Sequence, residues 1–170
     1  MTAVVPVRAA GELEREVKAA FLFRFGGFIE WPDGAFARPD SPLVIAVLGA
    51  DALAAQLERT VAGRLVNGRA IHVVRLKEGE AVGAGRAAHI AFVGAPDRLA
   101  AQGLLEGCRT RPVLTVTDSD HVFGMGCVIN FLVVAERVRF EVSLKAAAAA
   151  GLRISARLLT AAYRVQPGVA

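Results

Sequence analysis

The residues with the strongest claim to chemistry stand together in Asp118, Ser119, Asp120 and His121. Two carboxylates and an imidazole in one short segment could supply three ligands to a metal, the number a catalytic zinc site takes from protein. The same four residues also make an ordinary polar turn, in which Asx side chains hydrogen-bond to nearby backbone. The turn is the reading preferred here, because no further ligand is in view. His72 and His89 have no His or Cys partner at helical spacing. Gly83, Gly85 and Ala88 reproduce a GxGxxA string, but they precede the apolar run at 89–93 instead of following a strand. A dinucleotide fingerprint needs its glycines between a strand and a helix, so that phosphate meets the helix N-terminus. The chain has neither a GxxxxGK[ST] loop nor a GxSxG elbow. Ser41, Ser119, Ser143 and Ser155 lack an evident base, as do Cys108 and Cys127. These residues offer no catalytic, cofactor or metal site.

Other residues point toward binding. Arg139 and Glu141 alternate with Phe140 and Val142, so the charged pair shares one sheet face and the apolar pair the other. That charged face is either solvent-exposed or the wall of a cleft. Glu30 and Trp31 form a corner before Pro32, where Trp31 reads as a plug over the core. Arg157 and Arg164 are seven apart and would share a face of a last helix. Phe123, next to Gly124, is an apolar residue expected to be exposed on the 118–125 loop. Apolar residues make up 54% of the chain, and the mean hydropathy is +0.45. Yet the longest strongly apolar run, Val128 to Ala135, is interrupted by Asn130 and falls far short of the roughly 20 residues of a spanning helix. The excess must be core or a surface that binds something. Three places are favoured for that surface: the Phe28–Trp31 corner, the Asp118–Met125 loop and the Arg139–Arg157 segment.

The elements that would position these residues follow from periodicity. Residues 11–28 read as an amphipathic helix with Val17, Ala20, Phe21, Phe25 and Phe28 on one face. Residues 43–48, 71–76, 89–93 and 113–116 are short apolar runs, the signature of buried strands. Between them, 51–62 and 97–106 are helical, the second ended by Gly107. Strand, Gly turn and helix in "LVIAVLGADALAAQL" open a βαβ unit. Residues 127–134 and 138–144 form a hairpin joined at Ala135-Glu136. A helix over 145–150 is stopped by Gly151, and Ser155 caps a last helix that buries Leu158, Leu159 and Ala162. The fold class expected is α/β: a three-layer sandwich with a mostly parallel, doubly wound (Rossmann-like) sheet and a C-terminal β-hairpin plus helix. One domain over 11–166 is expected, with 1–10 a remnant or disordered.

Twenty basic and 16 acidic residues give a net charge of +4. The basic residues are dispersed and aromatics are few, which argues against a nucleic-acid footprint. Residues 1–7 lack the basic and apolar regions of a signal peptide. Either a cytosolic protein or a mature exported one fits that start. Cys108 and Cys127 flank the strand at 113–116. A five-residue strand spans about 16 Å, while bridged Cα atoms lie within about 7 Å, so no bridge between them is expected unless the loop folds back.

The ordered strings "KAAFLFRFGGFIEWP", "HIAFVG", "LTVTD", "FGMG", "RFEVSLKAAAAAGLRIS" and "LLTAA" run from residue 18 to residue 162. Together they resemble the YfiR family of small periplasmic regulators that repress membrane-bound diguanylate cyclases. The resemblance implies a periplasmic home with the signal peptide removed, and a non-enzymatic repressor that lowers cyclic-di-GMP and biofilm formation. It implies contact with the extracytoplasmic domain of a diguanylate cyclase and sequestration by an outer-membrane lipoprotein; a homodimer through part of the apolar surface is expected because isologous contacts are the commonest oligomer type. Partner contact is assigned to Glu30, Trp31, Asp118, His121, Phe123, Arg139, Glu141 and Arg157. Relatives commonly carry a cysteine where this chain has Ala88, a departure that bears on any redox control the resemblance implies. The alternative is a small-molecule sensor with its ligand above the strand ends near Gly49, Gly94 and Asp118.

Overall fold

The computed structural model describes residues 7–80, 87–94 and 97–168. Gly83 to Arg86 of the GxGxxA string lie outside them. The elements in chain order are α1 (Val7–Phe25), β1 (Ile29–Glu30), β2 (Leu43–Leu48), α2 (Asp51–Val61), β3 (Leu65–Val66), β4 (Arg69–Leu76) and β5 (Ile90–Val93). They continue with α3 (Arg98–Cys108), β6 (Leu114–Thr117), α4 (Asp120–Phe123), β7 (Ile129–Val134), β8 (Arg137–Ser143), α5 (Leu144–Ala149), β9 (Arg153–Ile154), α6 (Ala156–Ala161) and β10 (Arg164–Gln166).

One eight-stranded sheet, ordered β10-β8-β7-β6-β5-β2-β4-β3, runs through the molecule. The β4-β2-β5-β6-β7 stretch is parallel throughout. β8 returns antiparallel to β7, and β10 lies parallel to β8. Strands β2, β5 and β6 read as unbroken apolar runs because both of their faces are covered. On one face Ile45, Val47, Ile90, Phe92, Leu114 and Val116 meet α1, α2 and α6 in one buried cluster. On the other Ala46, Leu48, Ala91, Val93 and Val113 meet α3 and α4. This is the three-layer α/β arrangement expected from periodicity.

Two tight hairpins fix register. Ala135 (φ 50°) and Glu136 (φ 65°) both take the left-handed region, as a two-residue turn of the primed type requires. They join β7 to β8 with Val134 opposite Arg137. Asn67 (φ 49°) and Gly68 (φ 79°) do the same between β3 and β4. Asn-Gly is the strongest short hairpin signal, since both residues tolerate the left-handed region.

Several boundaries differ from expectation. α1 ends at Phe25, leaving Phe28 beyond it, and its fully buried residues are Ala19, Leu22 and Phe25. The helix is apolar over most of its circumference at 19–25, so periodicity alone did not select the face. α3 runs through Gly107 to Cys108 and ends at Arg109 in a right-handed conformation. Asp118 to His121 is not a plain turn: Ser119 caps a single helical turn, its Oγ accepting from the Val122 amide. α6 ends at Ala161, so Arg164 stands on β10 and shares no helix face with Arg157. A two-residue antiparallel pair, β1 with β9, ties the exit of α1 to the segment before α6 and aligns Glu30 with Arg153.

Candidate functional site

Three arrangements gather the residues singled out above. The first is a polar row across the sheet on the α3 side. Register places Thr117 beside Asn130, Asn130 beside Glu141, and Glu141 beside Arg164. Laterally paired residues point to the same face, so one row of polar side chains crosses four strands. Asn130 is fully buried, and its Nδ2 donates to Glu141 Oε1 at 3.0 Å and to Asp120 Oδ1 at 2.9 Å. Arg164 Nη1 donates to Glu141 Oε2 at 3.3 Å. Thr117 Oγ1 donates to the Val93 carbonyl at 2.7 Å. Glu141 is only 6% exposed, so it belongs to an internal network, whereas Arg139 stays half-buried with its guanidinium 5.4 Å from the Tyr163 ring. The two charges share a face but not an environment, because Asn130 and Arg164 both donate to Glu141. Among the described residues, no group of three or more His, Cys, Asp or Glu is placed to hold a metal.

Asp118 is exposed and held from outside the loop. Lys18 Nζ lies 3.0 Å from Asp118 Oδ2 and 3.0 Å from Glu14 Oε1. Burial works against the Lys18 charge, but the two carboxylates outweigh it and hold its pKa above the ordinary 10.5. His121 is exposed on α4. Phe123 is not an exposed anchor. It is 9% exposed and packs with Val122, Cys108 and Cys127 under α3. The turn of α4 directs Val122 and Phe123 inward, a reversal that a loop reading could not anticipate.

The same back-folding overturns the separation argument for the cysteines. Val128 N–H donates to the Thr115 carbonyl at 3.1 Å, which returns Cys127 to the N-terminal half of β6, on the side from which Cys108 arrives. Both are free thiols in one apolar cluster. Burial pushes Cys108 up to about 11 and Cys127 up to about 12.

The second arrangement is an aromatic clamp at the Trp31 corner. His89 is stacked on Phe36 with centroids 4.2 Å apart, and Trp31 meets both rings edge-on. Arg69 lies 3.7 Å over the other aromatic partner, Phe36, and donates to the Ser41 carbonyl at 2.6 Å. The Val44 amide donates to His89 Nδ1 at 3.0 Å, and Nε2 lies 2.8 Å from the Ala35 carbonyl. These partners assign the neutral Nε2–H tautomer. Burial holds the His89 pKa below 6.5, against the pull of the Ala35 carbonyl and with help from Arg69. Trp31 is therefore built into the packing of the loop at 32–42, and it is Glu30 that stays exposed, 3.8 Å from Arg153.

The third arrangement is an open apolar groove of about 570 Å³ between the end of α1, the β3 hairpin and α6. Its walls include Phe21, Phe23, Phe28, Leu65 and Leu158, with Arg24 and Arg157 among its lining. Phe23 and Phe28 are only half-buried, and Leu65 is 62% exposed. Arg64 extends this rim, its guanidinium 5.5 Å from the Phe23 ring. The floor is aromatic: Phe21 and Phe25 pack on Phe131 and Phe140 at centroid separations of 5.2–6.0 Å. Sequence reasoning named Arg157 but missed Phe23, Leu65 and Arg24. Phe23 and Arg24 lie where a helical face was misassigned, and Leu65 belongs to the overlooked Asn-Gly hairpin.

Residues 15–163 match the family model described as YfiR/HmsC-like. The chain belongs to the YfiR/HmsC-like family. No curated protein matches it. Placed on this YfiR/HmsC-like chain, the residues assigned from the resemblance fall into separate environments. Glu141 and Phe123 are buried, Trp31 is packed into the 32–42 loop and Arg139 is half-buried, whereas Glu30, Asp118, His121 and Arg157 are exposed, with Arg157 bordering the groove. Among the described residues no helix is long and apolar enough to cross a membrane.

At the crevice named for a small ligand, the backbone is close-packed around Gly94. Gly94 N–H donates to the Leu48 carbonyl at 2.8 Å. A Cβ on Gly94 would meet Phe92 at 2.9 Å and Ala50 at 3.1 Å. A roomier groove, of about 820 Å³, lies elsewhere, between the end of α3, the loop after α4 and α5.

Proposed function

We propose that this protein is a periplasmic regulator that binds the extracytoplasmic domain of an inner-membrane diguanylate cyclase and holds it inactive. Cyclic-di-GMP and biofilm formation fall while the contact lasts. The observation that carries this reading is membership of the YfiR/HmsC-like family over residues 15–163. The surface is compatible with action by contact. Half-buried phenylalanines beside exposed arginines combine the residue types that dominate binding energy at protein interfaces. Sequestration by an outer-membrane lipoprotein and a homodimeric state belong to the same reading.

The test is a host strain in which the gene is deleted and then restored. Deletion should raise cyclic-di-GMP, and the exported protein should lower it again. Affinity capture from solubilised membranes should return a diguanylate cyclase. Unchanged cyclic-di-GMP on deletion and restoration, with no cyclase captured, would end this reading.

A further inference from the structure

We infer that the groove between α1, β3 and α6 is the docking site for an amphipathic helix of the partner, one that carries an apolar stripe flanked by carboxylates. This rests on the proposed contact with a cyclase and names the surface and the chemistry of the segment it takes. Three observations converge on it. The groove is concave and apolar, with Phe23 and Phe28 half-buried and Leu65 62% exposed. A helix laid in such a groove inserts side chains spaced three and four residues apart. The charges beside it have one sign: Arg24 and Arg157 are in the lining, Arg64 covers Phe23, and no Asp or Glu is among the lining residues.

Charge also selects among occupants. A second copy docked groove to groove would set one arginine-rimmed patch against another, a like-charge arrangement that interfaces avoid. A flat lipid surface would touch the rim but leave the concave floor unfilled. A helix with an apolar stripe fills the floor, and its flanking carboxylates meet guanidinium groups that favour carboxylate geometry. Arg64 and Arg157 are exposed, and Leu65 is on an edge strand, so each can be changed without opening the core.

The experiment uses the full chain and two designed peptides of about 18 residues, long enough for five helical turns. Both carry the same leucine stripe; one has glutamate flanks, the other lysine flanks. The glutamate peptide should bind at least about tenfold more tightly than the lysine peptide, a difference of about 1.4 kcal/mol. The preference should shrink with added salt. It should disappear in the double variant Arg24→Gln with Arg157→Glu, and Leu65→Asp should weaken binding of both peptides. The same variants should lose binding to the purified extracytoplasmic domain of the cyclase while keeping the wild-type melting temperature within a few degrees. Equal binding of the two peptides would overturn the groove assignment, as would self-association or binding to anionic vesicles that these substitutions abolish. If the wild-type protein binds the glutamate peptide with the stated preference but no cyclase domain, the groove assignment stands and the partner reading fails. If wild-type binds the cyclase and the variants bind it equally well, the partner reading stands and the groove assignment fails.

Discussion

Asn130 and Glu141, paired across the β7–β8 hairpin, meet through a single buried 3.0 Å hydrogen bond in which the amide donates and the carboxylate accepts. The other Asn130 N–H serves Asp120. One neutral side chain thus holds two carboxylates at the sheet end.

Asn130→Ala removes both donors and leaves Glu141 buried with only Arg164 beside it. The expected cost is about 1–3 kcal/mol, since an unsatisfied buried acceptor loses its full solvation. Urea denaturation should show a lower midpoint with an unchanged slope. A variant as stable as wild-type would mean that solvent reaches Glu141.

His89 makes the fold acid-sensitive. Its Nδ1 accepts from the Val44 amide only when unprotonated, and its folded pKa lies below the ordinary 6.5. The unfolded chain therefore takes up the proton more readily. The stability that His89 contributes is full above about 6.5 and is lost as pH falls toward the lowered folded value. Melting temperatures between about pH 8 and about pH 5 should fall more steeply for wild-type than for His89→Gln. Parallel profiles for the two would assign the acid sensitivity to other groups.

Cys108 and Cys127 should resist alkylation. The thiolate is the nucleophile, and burial places the two pKa values at about 11 and about 12. Iodoacetamide at neutral pH should leave both unmodified in the folded protein and label both after denaturation, as read by mass spectrometry. Rapid labelling of native protein would show that the cluster beneath α3 opens.

Phe123→Asp should destabilise the fold by more than about 3 kcal/mol, because it exchanges a packed ring for a carboxylate among apolar side chains. Leu65→Asp, at an exposed edge, should change stability by less than about 1 kcal/mol. Circular dichroism melts of the two variants would separate them. A folded Phe123→Asp protein with wild-type stability would return Phe123 to the list of exposed anchors.

The features legible along the chain are local or periodic. Apolar runs at 43–48, 89–93 and 113–116 became β2, β5 and β6, because a strand covered on both faces has no polar side to interrupt it. Ser155 and Gly151 punctuate the C-terminal helices as capping chemistry dictates. Family membership was also legible, carried by strings spread over most of the chain. Tertiary structure decided whatever depends on who stands next to whom. Arg139 and Glu141 look equivalent in an alternating strand, yet only Glu141 faces Asn130 across β7, and so only Glu141 is buried. Phe123 looks exposed in a glycine-flanked loop until the turn of α4 rolls it under α3. Phe23, Leu65 and Arg157 are remote in sequence and share one groove because the β3 hairpin and α6 both border the end of α1. Neighbours brought together by sheet register and by long-range packing leave no trace in the spacing of residues along the chain, since periodicity records only which way a side chain points and not what it meets there.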